Sequence, residues 1–497
     1  MSLVQKIISN TFIQFAGRIL SALLAIISVK IITNFLGRDG YGMYSTVYEY
    51  LGLFAIIGDF GLYTLSLREM SQNKDRIQHI YSNIVTLRSI LSFIVLAIVT
   101  LIAFFIPKYQ GTIIPIGMVI CSVAVWLNLL QSIVASILQY KLSMKYATIS
   151  LIVGKIAAIT AIAASAYFIQ DKTTLFYFFL AAGIIGHLVM LIGNIYFSSN
   201  YIIPRPAFDI GYWKSLMKES WSYGLALVLG TIYFKVDVTL ISLYQGDSAV
   251  GFYSVCVRII EVLVTLPLFF LNSTLGTLTE AVHNIKKNAQ KIQNIFEKSY
   301  KFLSLIGTFF LLFILLFPRE IISVISSDQF LSTSSTPGSD SVLPFLIFAL
   351  LLSFFSTLCS FTMIAFHQQK KILIVNIIGT IINISLNIYA IPHYSFIGAA
   401  YTTIISEIFL ILVSFFFLRK VYPFTLPAWF SIKMIFLGFF LFYAIKITMG
   451  TLMLSNLFTL ILGGILLTIS YPLGLIACKI INVDEIQFLM RSKKETQ

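Results

Sequence analysis

Charge is what this sequence has least of: 11% of its 497 residues are Asp, Glu, Lys or Arg, against about 25% in soluble globular chains. That scarcity excludes a water-soluble enzyme of any fold. Cysteine is also rare, and Cys121, Cys256, Cys359 and Cys478 each sit in an apolar run without CxxC spacing. A disulfide framework and a thiolate metal site are therefore excluded, and the four read as small core residues. No P-loop, HExxH, GxSxG or strand-following GxGxxG is present, so nucleotide cradling, zinc proteolysis and acyl transfer have no foothold. The chain reads as a non-enzyme without an organic cofactor.

Apolar sequence is what it has most of. Hydrophobic residues make up 58% of the chain and aromatics 15%. With about 20 apolar residues per membrane crossing, it divides into about fourteen spans. They lie near 11–35, 41–67, 81–106, 112–138, 147–169, 174–197, 220–244, 249–275, 301–325, 342–366, 372–391, 396–418, 429–448 and 455–478. The first apolar run is too long for a signal peptide and lacks a small-residue cleavage site, so it is expected to remain as a span. A net charge of +14 would suggest nucleic acid in a soluble protein, but its distribution argues for a membrane. Twenty-two of the 34 basic residues fall in alternate connectors, among them Lys6, Arg68, Lys74, Arg76, Arg205, Lys214, Lys218, Arg491, Lys493 and Lys494. The other side holds Arg38, Lys108, Lys172, Arg319 and Lys446. The positive-inside rule places both termini in the cytoplasm, in an inner (cytoplasmic) membrane, with no nucleic-acid partner.

Two basic connectors are long. Residues 280–301 put Ile285, Ile292, Ile295 and Phe296 near one helix face among five lysines, as in a helix lying on an anionic leaflet. Residues 198–219, with Pro204-Arg205-Pro206 and Trp213, read as a hinge between two halves, and the outer loop 326–341 as short, polar and flexible. An internal repeat supports the halves. Tyr41-Gly42-Met43-Tyr44-Ser45 and Val250-Gly251-Phe252-Tyr253-Ser254 lie 209 residues apart, and Gly37 and Gly246 keep the same offset. Six spans separate the copies, so both cross in the same direction and are related by an axis along the membrane normal. The expected fold is an all-α integral membrane protein with two parallel six-helix lobes. Residues 1–200 hold the N-lobe (spans 1–6), 201–219 a cytoplasmic linker, 220–420 the C-lobe (spans 7–12), and 421–497 spans 13–14 and a cytoplasmic tail.

A charge near the centre of a span costs about 2.5–3.5 kcal/mol, so each one present demands a reason. Lys30, Arg88, Lys155 and Lys433 lie near span ends and can snorkel. Arg18, Lys235, Asp237, Arg258, Glu261 and Glu407 lie deeper, and Glu49 and Asp59 also fall within spans. Asn10, Gln14 and Arg18 recur every four residues as one polar stripe, as do Ser254, Arg258, Glu261 and Thr265 at helical spacing. Arg258 and Glu261 could equally form a packing pair. A guanidinium facing a cavity suits phosphate, because its planar fork donates two parallel hydrogen bonds to an oxyanion. Arg18, Arg258, Gln14, Lys235, Glu261, Arg88 and Lys155 are thus candidates for an anionic, phosphate-bearing substrate. Asp237, Asn383, Asn387 and Thr403 offer oxygens suited to sodium, or the carboxylate to a proton, with Glu407 a second ion-coupling candidate. The asparagines could instead bond neighbouring helices.

Residues 10–45, with Gly17-Arg18, Leu36-Gly37 and Tyr41-Gly42-Met43-Tyr44, carry a resemblance to a known family. So do Tyr253-Ser254 through Arg258-Ile259-Ile260-Glu261 to Pro267, and Ile397-Gly398-Ala399-Ala400-Tyr401-Thr402-Thr403-Ile404-Ile405-Ser406. Over its whole length the chain resembles polysaccharide transporters of the multidrug/oligosaccharidyl-lipid/polysaccharide exporter superfamily, such as O-antigen flippases. The resemblance implies flipping of an undecaprenyl-pyrophosphate-linked oligosaccharide from the inner to the outer leaflet by alternating access. The partners it implies are that lipid-linked oligosaccharide, the bilayer, and a polymerase and glycosyltransferases of the same pathway. Relatives that flip the peptidoglycan precursor carry arginines that Arg18 and Arg258 match. Leu24 stands where they hold a further basic residue, which favours O-antigen (lipopolysaccharide), capsule or a similar polysaccharide. A cation site of some relatives would fall on Asp237, Asn383, Asn387 and Thr403, with Asn387 an amide where a carboxylate can stand. An ion-coupled multidrug antiporter would share the fold. A membrane-embedded polysaccharide polymerase would need a large external loop or paired carboxylates, and the sequence has neither.

Overall fold

The computed structural model describes residues 3–452 and 455–481. It is 86% helical, with no strand among the described residues. The helices in chain order are α1 (Leu3–Asp59), α2 (Leu62–Gln72), α3 (Ile77–Ala103), α4 (Ile114–Val134), α5 (Ser136–Tyr140), α6 (Met144–Phe168), α7 (Lys172–Ser198) and α8 (Ile210–Tyr244). There follow α9 (Asp247–Leu263), α10 (Thr265–Val282), α11 (Ile285–Leu316), α12 (Pro318–Ile325), α13 (Ser339–Ala365), α14 (Gln369–Arg419), α15 (Ala428–Gly450) and α16 (Asn456–Ala477). The expected C-terminal tail, with Arg491, Lys493 and Lys494, lies outside the described residues.

Twelve stretches are long and apolar enough to cross a membrane. Two of them contain helices too long for one crossing. At 57 and 51 residues, α1 and α14 would be about 85 and 75 Å long, against about 30 Å of hydrocarbon. Each is broken once, at Gly37 (φ 69°) and at Ser395 (φ 54°). Both breaks fall in connectors expected from hydropathy. At Ser395 the chain folds back so sharply that a Cβ on Gly398 would lie 2.5 Å from the Ala390 carbonyl oxygen, residues that a straight helix separates by about 12 Å. Counting both arms of each helix raises twelve to the fourteen crossings of the sequence reading.

The chain packs as two compact units. One comprises Met1–Val255, Ile325–Gln329 and Thr380–Ala399, the other Cys256–Val324, Phe330–Gly379 and Ala400–Gln497. In the first, the sequence repeat is visible as a contact. Gly37 and Gly246 both adopt positive φ, 69° and 88°, a conformation that favours glycine. A Cβ on Gly42 would lie 1.8 Å from the Asp247 carbonyl oxygen, and one on Gly251 2.5 Å from that of Arg38. Shifting either contact by the 209-residue offset generates the other. Asp39 accepts a hydrogen bond from Ser248, its own repeat equivalent, so a local two-fold relates the two segments. Glycine is required where the backbones touch.

Three connectors are more closely held than their sequences suggested. The segment 198–219, expected as a hinge, is bonded along the start of α3. Gln78 Nε2 donates to the Ile203 carbonyl (2.9 Å), the Arg205 amide to Ser82 Oγ (3.1 Å) and the Ala207 amide to Thr86 Oγ1 (3.1 Å). Asn83 Oδ1 then accepts from both the Asp209 amide (3.0 Å) and Trp213 Nε1 (3.1 Å). Four helical residues rise about 6.0 Å and two extended residues about 6.6 Å, so alternate connector residues meet successive turns of the helix.

In the second unit, the lysine-rich segment expected to lie on a leaflet is the first part of α11. Ile292 and Phe296 are buried, and Phe296 packs on Phe424 with ring centres 4.4 Å apart. The Tyr422 hydroxyl donates to the Ala289 carbonyl and Gln293 to that of Thr425, so protein covers Ile292 and Phe296 of the face assigned to lipid, while Ile285 at its start stays exposed. Further along, the stretch expected to be loose closes on itself. Phe330 is fully buried, and Asp340 accepts from both the amide and hydroxyl of Ser332 at 2.7 Å.

Candidate functional site

The oxygen cluster anticipated around Asp237 forms inside the first unit. Asp237 on α8 is buried. Its Oδ1 accepts from Asn387 Nδ2 (2.7 Å) and its Oδ2 from the Tyr253 hydroxyl of α9 (3.0 Å). Asn383, one helical turn before Asn387 on α14, presents Oδ1 to the same amide at 3.1 Å. Asn383 Nδ2 is buried without a hydrogen-bond partner among the described residues. One carboxylate, two amides and a phenol form a hard, singly charged donor set, which suits a proton or a small monovalent cation. Among the described residues, no cluster of His, Cys, Asp and Glu could hold a metal ion. Thr403 belongs to the second unit, where it is half-buried.

Two ion pairs lie beside this cluster's helices. Lys235 donates to Glu49 Oε2 at 2.5 Å, with Glu49 almost fully buried and Lys235 partly exposed. Arg88 departs from the snorkelling expectation: its side chain is 5% exposed and its Nη2 lies 2.6 Å from Asp59 Oδ1. Asp59 is the last residue of α1, where a carboxylate opposes the helix dipole, and the chain then turns through Phe60 (φ 41°) and Gly61 (φ 77°). Arg88 offsets that charge with one nitrogen. Its Nε and Nη1 are buried without a hydrogen-bond partner among the described residues. The Tyr63 hydroxyl lies within reach of the charges of Arg18, Arg88 and Asp59 and donates to Gln139. Arg18 is exposed and Gln14 half-buried on α1. Asn10, the first member of their stripe, instead brackets the turn before α6, donating to the Leu142 carbonyl (2.5 Å) and accepting from the Met144 amide (3.1 Å).

In the second unit Arg258 and Glu261 form the i,i+3 pair at 2.8 Å, both about a third exposed. Glu407 is buried and accepts from the Ser356 hydroxyl at 2.9 Å. Lys433 reaches the carbonyls of Cys478 and Lys479 past the end of α16 (3.1 and 3.2 Å), where a cation favours the helix dipole. In the first unit Lys30 reaches the Ser326 carbonyl at 2.5 Å, and Lys155 is half-buried on α6. An apolar cavity of about 490 Å³ opens between α11, α13 and α15, lined by Phe348, Phe355, Met434, Phe439, Phe442 and Tyr443 among others. Sequence reasoning grouped Asn383 and Asn387 with Asp237 but missed Tyr253, and it missed the pairing of Lys235 with Glu49, 186 residues away, which no local spacing could have revealed.

Comparison with known proteins agrees with this architecture. The polysaccharide biosynthesis protein family matches residues 7–278, more than half of the chain, and the MatE family residues 223–389. An uncharacterized membrane protein of Methanocaldococcus jannaschii is 22% identical over 517 residues, covering 98% of each chain. The fold matches the lipid II flippase MurJ in an inward closed conformation with a TM-score of 0.70 at 16% identity, covering 94% of this chain and 98% of that one. It also matches an inward-facing multidrug resistance MATE transporter of the MOP superfamily, TM-score 0.62 at 15% identity, covering 83% and 99%. Likeness at such identities establishes the fold; the extent of the family match goes further, and the chain belongs to the polysaccharide biosynthesis protein family.

Proposed function

We propose that the protein flips an undecaprenyl-pyrophosphate-linked oligosaccharide, a unit of O-antigen, capsule or a similar envelope polysaccharide, from the inner to the outer leaflet. Two lobes, residues 1–200 and 220–420, alternate access to the substrate, in an inner membrane with both termini cytoplasmic. The carrying observation is Arg88, whose guanidinium pairs with Asp59 through one nitrogen and leaves two buried donors without an acceptor among the described residues. An oxyanion satisfies such donors, and a charged hydrogen bond of this kind contributes about 1.5–3 kcal/mol. Arg18, Gln14, Lys235 and Lys155 are further polar contacts for the pyrophosphate and sugars within the first unit, and Arg258 and Glu261 are the candidates for the same groups within the second. The apolar cavity by α15 suits the prenyl tail. Glycosyltransferases and a polymerase of the same pathway supply the substrate and consume it.

No nucleotide-binding motif is present, which leaves an ion gradient as the energy source. One charge moving inward gains about 2.3 kcal/mol per 100 mV, enough for tens-fold accumulation. Asp237, with Asn383 and Asn387, takes the coupling sodium ion or proton; Thr403 and Glu407 are candidates within the second unit, Glu407 as a second ion-coupling carboxylate. The test is complementation of a flippase-deficient host together with transport into proteoliposomes under imposed sodium or proton gradients. Arg18→Ala, Arg258→Ala and the charge-balanced Asp59→Asn/Arg88→Met should each abolish complementation at unchanged protein level, with lysine at 18 or 258 rescuing only partly. Asp237→Asn should retain substrate binding but lose gradient dependence. Full activity of the Arg18→Ala/Arg258→Ala double variant would sink the anion assignment. Gradient-dependent transport in both Asp237→Asn and Glu407→Gln would sink the coupling one. The MatE match favours a second reading, ion-coupled multidrug export, which gradient-driven efflux of a cationic dye without flipping of the lipid-linked sugar would establish.

A further inference from the structure

The connector on α3 has a second edge. Residues 203, 205, 207 and 209 turn their backbone groups to the helix, so in an extended chain 204, 206 and 208 turn theirs away. Those residues are Pro204, Pro206 and Phe208, and proline has no amide proton. The outward edge therefore presents one backbone donor in three positions. Stripped of most donors but still carrying three carbonyl acceptors, this edge suits the level of the headgroups, where water and headgroup donors remain, and not the hydrocarbon.

Its side chains agree. Ile203 is 53% exposed, Phe208 66% and Ile210 62%, and Arg205, Lys214 and Lys218 are exposed among them. Helix α3, at 27 residues, is about 40 Å long and exceeds the hydrocarbon by about 10 Å. The connector docks on its first three turns. Phe208 meets the Trp213 ring with centres 6.0 Å apart, yet among the described residues neither it nor Ile210 is buried as Phe296 is beneath Phe424.

We propose that residues 203–218 form a lipid-contacting strap. Ile203, Phe208 and Ile210 enter the boundary between headgroups and acyl chains, while Arg205, Lys214 and Lys218 hold the phosphates of anionic phospholipids. The test uses the full chain with Cys478, which is exposed and not in the core as its apolar run suggested, changed to serine, in nanodiscs of phosphatidylcholine with and without phosphatidylglycerol. A spin label on Phe208→Cys should be relaxed by oxygen rather than by a water-soluble nickel chelate, like one on Phe436→Cys of α15 and unlike one on Ser335→Cys. In detergent, Arg205→Gln/Lys214→Gln/Lys218→Gln should bind phosphatidylglycerol more weakly, by about fivefold per residue removed, at unchanged melting temperature. A label at 208 as open to the chelate as that at 335, or unchanged phosphatidylglycerol binding, overturns the strap. A label shielded only after other membrane proteins are added assigns the face to a protein partner and overturns it equally.

Discussion

A carboxylate buried among membrane helices persists only where a partner offsets its desolvation. Glu49 has Lys235 at 2.5 Å and Asp59 has Arg88 at 2.6 Å. Removing one partner of a buried pair costs about 3–5 kcal/mol, while replacing both with uncharged groups costs much less. Lys235→Met should therefore lower the melting temperature in detergent strongly, and Glu49→Gln/Lys235→Met should recover most of the loss. A double variant as unstable as the single one would show that packing, not charge, decides at this site. Gly42 poses the steric counterpart. With a Cβ 1.8 Å from the Asp247 carbonyl oxygen, Gly42→Ala must push two backbones apart, at about 1–3 kcal/mol. Equal melting of Gly42→Ala and the unaltered protein would refute that contact.

Among the elements, the strap is unusual in being ordered by side chains of a helix. Its C-terminal anchor is Asp209, whose Oδ1 accepts from the Tyr212 amide at 3.0 Å to cap α8 and whose Oδ2 faces His79 Nε2 at 3.1 Å. The Tyr212 amide, followed by His79, holds the Asp209 carboxyl below its usual value. A depressed carboxyl stabilises at pH above its unfolded value of about 3.9 and loses that contribution as pH falls through the lower folded value. Hydrogen exchange at the Arg205, Ala207 and Asp209 amides, corrected for intrinsic rates, should stay slow at neutral pH and quicken below about pH 4. Asp209→Asn, still a good cap, should remove that acid dependence; its persistence would assign the loss to another group.

At the scale of the whole molecule, alternate connectors carry the basic charge, so a single cysteine at Ser335 should label from outside intact cells and one at Ser199 only after permeabilisation. Equal labelling of both would refute the fourteen-span topology. Span positions and helical class were legible in the sequence because both follow from local transfer free energy, residue by residue along the chain. The repeat was legible for a related reason, since Gly37 and Gly246 answer to a backbone angle set by their immediate neighbours. Which charges meet was not: Arg88 was read as a surface-seeking cation because its partner Asp59 lies on another helix. The fate of the two polar connectors was not legible either. Each carries apolar residues among basic ones, and only packing shows that Phe424 covers Phe296 while Phe208 stays 66% exposed among the described residues. Hydropathy is a property of a segment, so the sequence alone determined what crosses the membrane. Burial and pairing are properties of neighbours distant in the chain, and the tertiary structure alone decided them.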